Sequence, residues 1–229
     1  MKLSIAIPTY ESKGRGCEFL LMQFEKFISQ TFKDFEVVIS DHSKNNEIKN
    51  LCSLYSNILN IKYIKNEYNR GISSSNINNA LKNCSGDLIK ILFQDDFLWD
   101  SHSLKKIVES FSEHDNWLVS ACEHTNDNGI TFIRPFYPRY HNKIYLGINT
   151  ISSPSVLTIR NDNKILFDER LIWLMDVDYY KMCYNKFGIP KILNEITVVN
   201  RISNEQLTSS MSEKIKNIEL NLMIKKHGE

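Results

Sequence analysis

The sequence predicts an α/β protein with a doubly wound, mainly parallel sheet and helices on both faces. Short apolar, β-branched runs alternate with amphipathic stretches from Leu3 to Phe111. The connections are long enough for a helix to cross over between parallel strands. The chain has 229 residues, 42% of them hydrophobic, which is enough for a packed core in one domain or in one domain of two fused halves.

The elements follow in order. "LSIAIP" (Leu3–Pro8) reads as a short apolar strand stopped by Pro8. After the polar turn "TYESKGRG", the segment "CEFLLMQFEKFISQTF" spaces Phe19, Leu20, Met22, Phe24, Phe27 and Ile28 as a helix does. "FEVVISD" (Phe35–Asp41) is a β-branched strand ending on an acid, "NNEIKNLCSLYSN" a second amphipathic helix and "IKYIKNE" a third strand. "NRGISSSNINNALKNCSGD" gives a turn and a polar helix, with Gly86 expected as its C-cap. "LIKILF" (Leu88–Phe93) is the fourth strand, and "LKKIVESFSEH" a helix with apolar Leu104, Ile107, Val108 and Phe111.

The second half is less regular. "WLVSACEH", "ITFIRPF" and "VLTIR" read as strands, and "RPFYPRYHNKIYLGINTISSPS" as a long aromatic loop. "WLMDVDYYKMCYNKFG" is a helix closed by Gly188, "KILNEITVVNR" one strand or two, and "SEKIKNIELNLMIKKHG" a closing helix. No internal repeat, low-complexity tract or Pro/Gly-rich linker divides the chain.

Composition narrows the function classes. Lys+Arg 28 against Asp+Glu 27 gives a net charge of +1, so there is no global electrostatic case for nucleic acid or for an anionic membrane. The apolar runs are too short to span a bilayer, and "MKLSIAIPTY" is too short and too soon broken by Pro8 to read as a signal peptide. The five cysteines are widely spaced without a C-x-x-C, which fits a reducing compartment better than a disulfide frame or zinc knuckle. A cytoplasmic location is expected.

In an open α/β sheet ligands bind beyond the carboxyl ends of the strands. The residues leaving the four predicted strand ends are Pro8-Thr9-Tyr10-Glu11, Asp41-His42-Ser43, Asn66-Glu67-Tyr68-Asn69 and Gln94-Asp95-Asp96. Such a rim suits a nucleotide with a divalent cation: amides and an Asp for base and ribose, carboxylates for the cation that neutralises phosphate. Asp95 and Asp96 alone would read as a loop or helix cap. Two adjacent acids at the end of a buried strand, however, need a positive counterpart. With Asp41 at a neighbouring strand end, the balance moves to a cation.

Taken in order, "SIAIPTY", "QTFKDFEVVISDHS", "NEYNRGISSSN", "SGDLIKILFQDD", "ISSPSVLTIR" and "FDERLIWLMDVDYYKMCYNKFG" resemble the family 2 glycosyltransferases, which have the Rossmann-like GT-A fold. The resemblance implies one domain over 1–229, with a nucleotide-sugar-binding half at 1–98 and an acceptor-binding half at 99–229. It implies transfer of a sugar from a nucleotide diphosphate donor, a UDP-sugar, to an acceptor hydroxyl with inversion. The setting would be bacterial surface glycan synthesis on a glycan or lipid-linked acceptor, at the inner face of the cytoplasmic membrane.

By position, the resemblance places Pro8, Thr9 and Tyr10 at the nucleoside, Asp41 at the uracil or ribose, and Asn69 and Gly71 in the loop beneath them. Asp95 and Asp96 take the D-x-D-type place, where Mn2+ or Mg2+ bridges the diphosphate, with Asp96 expected as the direct contact. Asp176 takes the place of the catalytic base, with Asp178 its competitor two residues on; a helix points the two in different directions.

The chain also departs from the family pattern. Ser75-Asn76 stand where an Arg often occurs, so a donor contact there falls to Asn76 or is lost. Gln94 replaces the first Asp of the D-x-D. Arg201 is present near the end, where it either pairs with diphosphate or faces solvent, and no His follows it in "NRISNEQLTSS".

Weaker signals have bland readings. Cys122-Glu123-His124 alternate faces on a strand and cannot converge on a metal. His42 reads as a rim residue. Tyr137, Tyr140 and Tyr145 are either a sugar-stacking wall or loop anchors. The closing helix, with Lys214, Lys216, Lys225 and Lys226 around an apolar stripe, either docks on the core or touches an anionic membrane peripherally. Two other readings compete: a nucleotidyltransferase, given Lys13 and Arg15 in the first turn, and a non-catalytic nucleotide-sugar-binding module.

Overall fold

A computed structural model describes residues 1–202 and 211–228 of the chain. β1 (Leu3–Thr9) pairs in parallel with β2 (Phe35–Asp41) on one side and with β4 (Leu88–Ile91) on the other. β2 in turn pairs in parallel with β3 (Ile61–Lys65). Every residue of β1 and β2 is buried, as strands covered on both faces require.

The helices between these strands are α1 (Gly16–Ile28), α2 (Glu47–Tyr55) and α3 (Ser73–Lys82). The steps from β1 to β2 and from β2 to β3 run in one direction, and the step to β4 runs back. Right-handed crossovers therefore put α1 and α2 on one face and α3 on the other. Leu20, Phe24 and Phe27 of α1 and Ile77 and Leu81 of α3 are fully buried against the sheet. Each contributes about 1.5–3 kcal/mol of burial free energy.

The second half extends the same sheet. Past α4 (Ser103–Ser110), β6 (Trp117–Thr125) pairs antiparallel with β7 (Leu157–Arg160), which is itself antiparallel to β4. β8 (Lys191–Arg201) lies parallel to β6, and the two-residue β5 (Phe97–Leu98) forms the far edge. The order is β3-β2-β1-β4-β7-β6-β8-β5, with four parallel pairings against three antiparallel ones among the described residues. α5 (Met175–Phe187) and the closing α6 (Glu213–His227) complete the chain.

Several expectations are corrected. "ITFIRPF" is not a strand: only Phe136 bridges to Cys122, while Thr131 to Pro135 are exposed. Pro135 has no N–H to give a ladder, and Asp127 folds the segment into a turn by accepting from Thr131 N at 2.9 Å and Thr125 Oγ1 at 2.8 Å. Gly86 is not the cap of α3, which ends at Lys82 with Asn83 as C-cap. A Cβ on Gly86 would stand 2.8 Å from both Lys2 O and Ser4 N, so glycine lets this turn lie against the β1 backbone. β5 has no signal of its own, because two residues carry no periodicity.

"KILNEITVVNR" is a single strand whose register slips near Ser120 and Ala121 of β6. The closing helix docks on the protein through buried Glu219 and Met223, with Ile215, Ile218 and Ile224 left exposed. Among the described residues no helix is long and apolar enough to cross a membrane.

Candidate active site

The ends of β1 and β2 form one hydrogen-bonded block. Asp41 is fully buried. Its Oδ1 accepts from Ser43 N at 2.8 Å and Thr9 Oγ1 at 3.4 Å; its Oδ2 accepts from Tyr63 OH at 2.7 Å and Lys65 Nζ at 3.4 Å. Asn76, on the first turns of α3, sits behind this block. Its Nδ2 donates to Thr9 O at 3.0 Å, and its Oδ1 accepts from Ser40 Oγ at 2.7 Å and Asn66 Nδ2 at 3.3 Å. Both amide ends are thereby used to tie β1 to β2. Tyr10, 54% exposed, stands on the rim in front.

His42 shapes the neighbouring loop. Its Nδ1 accepts from Gly71 N at 3.3 Å and its Nε2 lies 3.1 Å from Tyr68 O, which together suit the neutral tautomer protonated on Nε2. Burial lowers its pKa and favours the same neutral form. Asn69 and Gly71 both take positive φ in this turn, and Asn69 Nδ2 reaches across to Glu169 Oε2 at 3.0 Å.

The Asp95-Asp96 turn is held from beneath by two glutamines. Gln23 of α1 donates through Nε2 to Phe93 O and to Asp96 O, both at 2.7 Å. Gln94 accepts from Tyr10 N at 3.0 Å and donates to Gly16 O at 2.8 Å, binding the β1 loop to the start of α1. A Cβ on Gly16 would lie 2.4 Å from Tyr10 O, so no larger residue fits this close approach.

The two carboxylates are treated differently. Asp96 Oδ1 accepts from Arg201 N at 2.9 Å and its Oδ2 from Ser153 Oγ at 3.1 Å. The half-buried Asp95 carboxylate lies against its own backbone N–H and within the field of the Arg201 guanidinium. Burial raises the pKa of both; that of Asp96 is pushed up to about 7 by burial and by the adjacent Asp95. Arg201 offsets part of the charge of this pair and Lys90 acts on Asp96, and the hard oxygen donors of the pair fit a divalent cation such as Mn2+ or Mg2+. No group of three or more His, Cys, Asp or Glu among the described residues would enclose a metal, so two carboxylates and a bound phosphate would have to share the coordination.

Arg201 is folded away from solvent. Its Nε donates to Asp95 O at 2.9 Å, and its guanidinium lies 4.6 Å from the centre of the Phe19 ring and bonds to Asn128. The rest of "NRISNEQLTSS", from 203 to 210, lies outside the described residues.

Asp176 occupies the first turn of α5. Its Oδ2 accepts from Asn149 Nδ2 at 2.7 Å and its Oδ1 from Val177 N at 2.7 Å. Burial pushes its pKa up to about 6. Asn149 Oδ1 also accepts from Ser152 N at 3.0 Å, and Ser152 holds a φ of 94°, which non-glycine residues rarely adopt. Asn200 donates to Ser152 Oγ at 2.8 Å, and its Oδ1 lies 3.1 Å from Ser153 Oγ, the hydroxyl that also reaches Asp96. Asn149, the adjacent Ser152 and Ser153, and Asn200 therefore lie between Asp176 and the Asp95-Asp96 turn, with the one Ser153 O–H given either to Asp96 or to Asn200. Asp178 faces away, fully buried, with Lys226 Nζ at 2.8 Å and His227 Nε2 at 2.7 Å.

The family model for glycosyl transferase family 2 matches residues 4–180. This chain belongs to glycosyl transferase family 2. Its relatives include TarS of Staphylococcus aureus, a poly(ribitol-phosphate) β-N-acetylglucosaminyltransferase, 27% identical over 176 residues. That alignment takes in 75% of this chain and 30% of TarS, so the chain spans under a third of that relative's length. A Campylobacter jejuni glucosyltransferase acting on GalNAc(5)-diNAcBac-PP-undecaprenol is 31% identical over 114 residues, 49% of this chain and 35% of that protein.

Among solved structures, TarS residues 1–349 with UDP-GlcNAc superposes with a TM-score of 0.73 at 21% identity, over 98% of this chain and 66% of that one. The Pyrobaculum calidifontis mannosyltransferase PcManGT, solved with GDP-Man and Mn2+, gives 0.61 at 12% identity, over 90% and 58%. These likenesses show the shared GT-A fold.

Within the family 2 match, the strand-end residues Thr9, Tyr10, Asp41, Asn69, Gly71, Asp95 and Asp96 come to one edge of the sheet, with Pro8 buried just inside it. Tyr140 stacks on Tyr184 at 4.1 Å and Tyr145 tilts over His227 at 5.9 Å, so these two anchor their loop, while Tyr137 is exposed. His124 bonds through Nδ1 to Arg134 O at 3.0 Å. Sequence reasoning missed Gln23, Asn149, Asn200 and Glu219. For Gln23 one signal existed, a polar residue on the apolar face of α1; for the others the partner is fixed only by the fold.

Proposed function

We propose that this chain is an inverting, metal-dependent glycosyltransferase that moves a sugar from a nucleotide diphosphate donor, a UDP-sugar, to an acceptor hydroxyl in bacterial surface glycan synthesis. The observation that carries the reading is the network from Asp176 through Asn149, Ser152, Asn200 and Ser153 to Asp96. It links a single raised-pKa carboxylate to the carboxylate pair, which supports a base and a cation site acting on the same substrate. TarS with UDP-GlcNAc supports the choice of uridine nucleotide, and PcManGT with GDP-Man and Mn2+ supports the choice of metal.

In this reading Asp41, Tyr10, Asn69 and Gly71 receive the nucleoside, with Pro8 and Thr9 as its floor. Asn76 acts behind them by fixing Thr9 and Ser40. Asp95 and Asp96 would hold Mn2+ or Mg2+, which when bound supplies positive charge to the departing diphosphate. Ser153 and the Arg201 N–H keep the Asp96 carboxylate aimed at the rim. Asp176 takes the proton of the acceptor hydroxyl as that oxygen bonds to the anomeric carbon and the bond to the diphosphate oxygen breaks. A pKa near 6 leaves this base mostly ionised at neutral pH and still able to hold the proton it receives. The domain halves at 1–98 and 99–229 then serve donor and acceptor respectively.

The test is calorimetric titration with UDP, GDP and dTDP, each with and without Mn2+. Mn2+-dependent binding of UDP above the other two supports the donor and metal assignments. Binding of none would leave the family's fold without this function. Binding without turnover of UDP-GlcNAc across varied acceptors would favour a non-catalytic module.

A further inference from the structure

The family match ends at residue 180, yet the loop that leads into the proposed base is held by a residue beyond it. Glu219 of α6 is 3% exposed and its two oxygens collect three successive backbone amides. Oε1 accepts from Ile172 N at 2.9 Å and Trp173 N at 3.2 Å; Oε2 accepts from Trp173 N at 2.9 Å and Leu174 N at 2.8 Å. Leu174 is the N-cap of α5 and offers no side-chain cap of its own. Leu174 N is the N-cap amide of α5 and Ile172 N and Trp173 N belong to the two residues before it, so a carboxylate from another helix holds the chain as it enters α5.

We infer that Glu219 is a positioning residue for Asp176, fixing the start of α5 from a helix outside the matched span. The inference rests on the reading of Asp176 as the base. Three residues lie between Ile172 and Asp176, and the same short segment carries both the capped amides and the carboxylate. A second contact clamps the same pair of helices: Lys226 bridges Asp178 at 2.8 Å and Asp168 at 3.0 Å, with His227 at 2.7 Å from Asp178. Lys226 is committed to Asp178 and Asp168, and His227 to Asp178. Asn149 faces Asp176 from its loop, the Tyr180 hydroxyl is bound to Ser152 O, and Asp96 lies at the far end of the Asn149–Ser153 network. The charged group facing Asp176 from α6 is therefore Glu219, whose negative charge works with burial to raise the affinity of Asp176 for a proton.

The experiment uses the full chain labelled with [γ-13C]aspartate, and the Asp176 resonance is assigned by its loss in Asp176→Asn. In Glu219→Gln the titration midpoint of Asp176 should fall by roughly half a pH unit or more, because a like charge has been removed. An unmoved midpoint overturns the inference, because Glu219 would then be uncoupled from Asp176. Should Glu219→Gln fail to fold, Glu219→Asp carries the test: the shorter side chain keeps the charge but withdraws from the amides. The amide resonances of Ile172, Trp173 and Leu174 should shift, and kcat for transfer should fall at unchanged donor KM. Unmoved amides would overturn the inference. The two readings fail separately: transfer that survives Asp176→Asn removes the base, whereas an inactive Asp176→Asn with an unmoved Glu219→Gln midpoint removes only the role of Glu219.

Discussion

The Asn149 amide donates to the Asp176 carboxylate across 2.7 Å while its oxygen holds Ile151 N and Ser152 N, each at 3.0 Å. A hydrogen bond to the ionised form lowers a carboxyl pKa, so this bond works against the burial that raises it. Replacing Asn149 by Ala should move the pKa of Asp176 up from about 6. The acid limb of the pH–rate profile should then shift to higher pH, with transfer losing more at pH 6 than at pH 8. Superimposable limbs would mean that this bond does not set the ionisation of the base.

Asp176 and Asp178 should separate cleanly. Asp176→Asn should leave UDP binding in place while transfer falls on the order of 10²–10⁴-fold, as for a lost general base. Asp178→Ala strands Lys226 and His227 around an emptied buried site and should cost about 3 kcal/mol of stability, read by chemical denaturation. Collapse of transfer in a stably folded Asp178→Asn would reverse the assignment.

Asp96→Asn removes the Asp96 charge from the turn but keeps the Oδ1 that accepts from Arg201 N, with its new NH2 facing Ser153 Oγ. Mn2+-dependent binding of UDP should disappear, and calorimetry reads it directly. Binding with unchanged Mn2+ dependence would take the cation away from this turn.

Gly16→Ala tests whether the β1 loop and the start of α1 are as closely packed as they look. The new Cβ would meet Tyr10 O at 2.4 Å, and the backbone must move to admit it. The expected cost is about 1–3 kcal/mol, as for other overpacking changes, together with weaker UDP binding because Tyr10 moves. A variant of unchanged stability and affinity would show the contact to be slack.

Lys90 is fully buried on β4, with Nζ bonded to Ser155 O, and burial lowers its pKa to about 7. The unfolded chain would bind this proton up to the ordinary lysine range near 10.5, so between about pH 7 and 10.5 the unfolded state holds more protons. Lys90 should therefore make stability rise with pH across that window. Thermal unfolding of Lys90→Met should lack that rise, and an identical slope in both proteins would mean that Lys90 keeps its charge in the fold.

Legibility in the sequence followed the range of the interaction. Strands β1 to β4 and their helices are local patterns, such as the buried run Leu3–Thr9 and the apolar stripe of α1. The rule that ligands sit beyond carboxyl ends of parallel strands then leads to Asp41, Asp95 and Asp96. "ITFIRPF" misled because its composition suits a strand while Asp127 and Pro135 turn and interrupt it, and the partner available to it was already paired on both edges lower down.

By itself the sequence determined the alternating architecture, the strand ends that share one edge of the sheet and the family membership signalled by their order. Apolar period and strand-end position are properties of a short stretch of chain, and burial of that stretch imposes them. Only the tertiary structure separated the surroundings of the two acids. Asp176 and Asp178 are two residues apart with the same chemistry, and they differ because Lys226 and His227 reach Asp178 from 48 and 49 positions away. Only the tertiary structure brought Asn149 and Glu219 to the opening turn of α5, since a hydrogen bond between distant positions leaves no period in either segment. What lies buried is written locally; which polar groups meet is settled when the helices and loops close over the sheet.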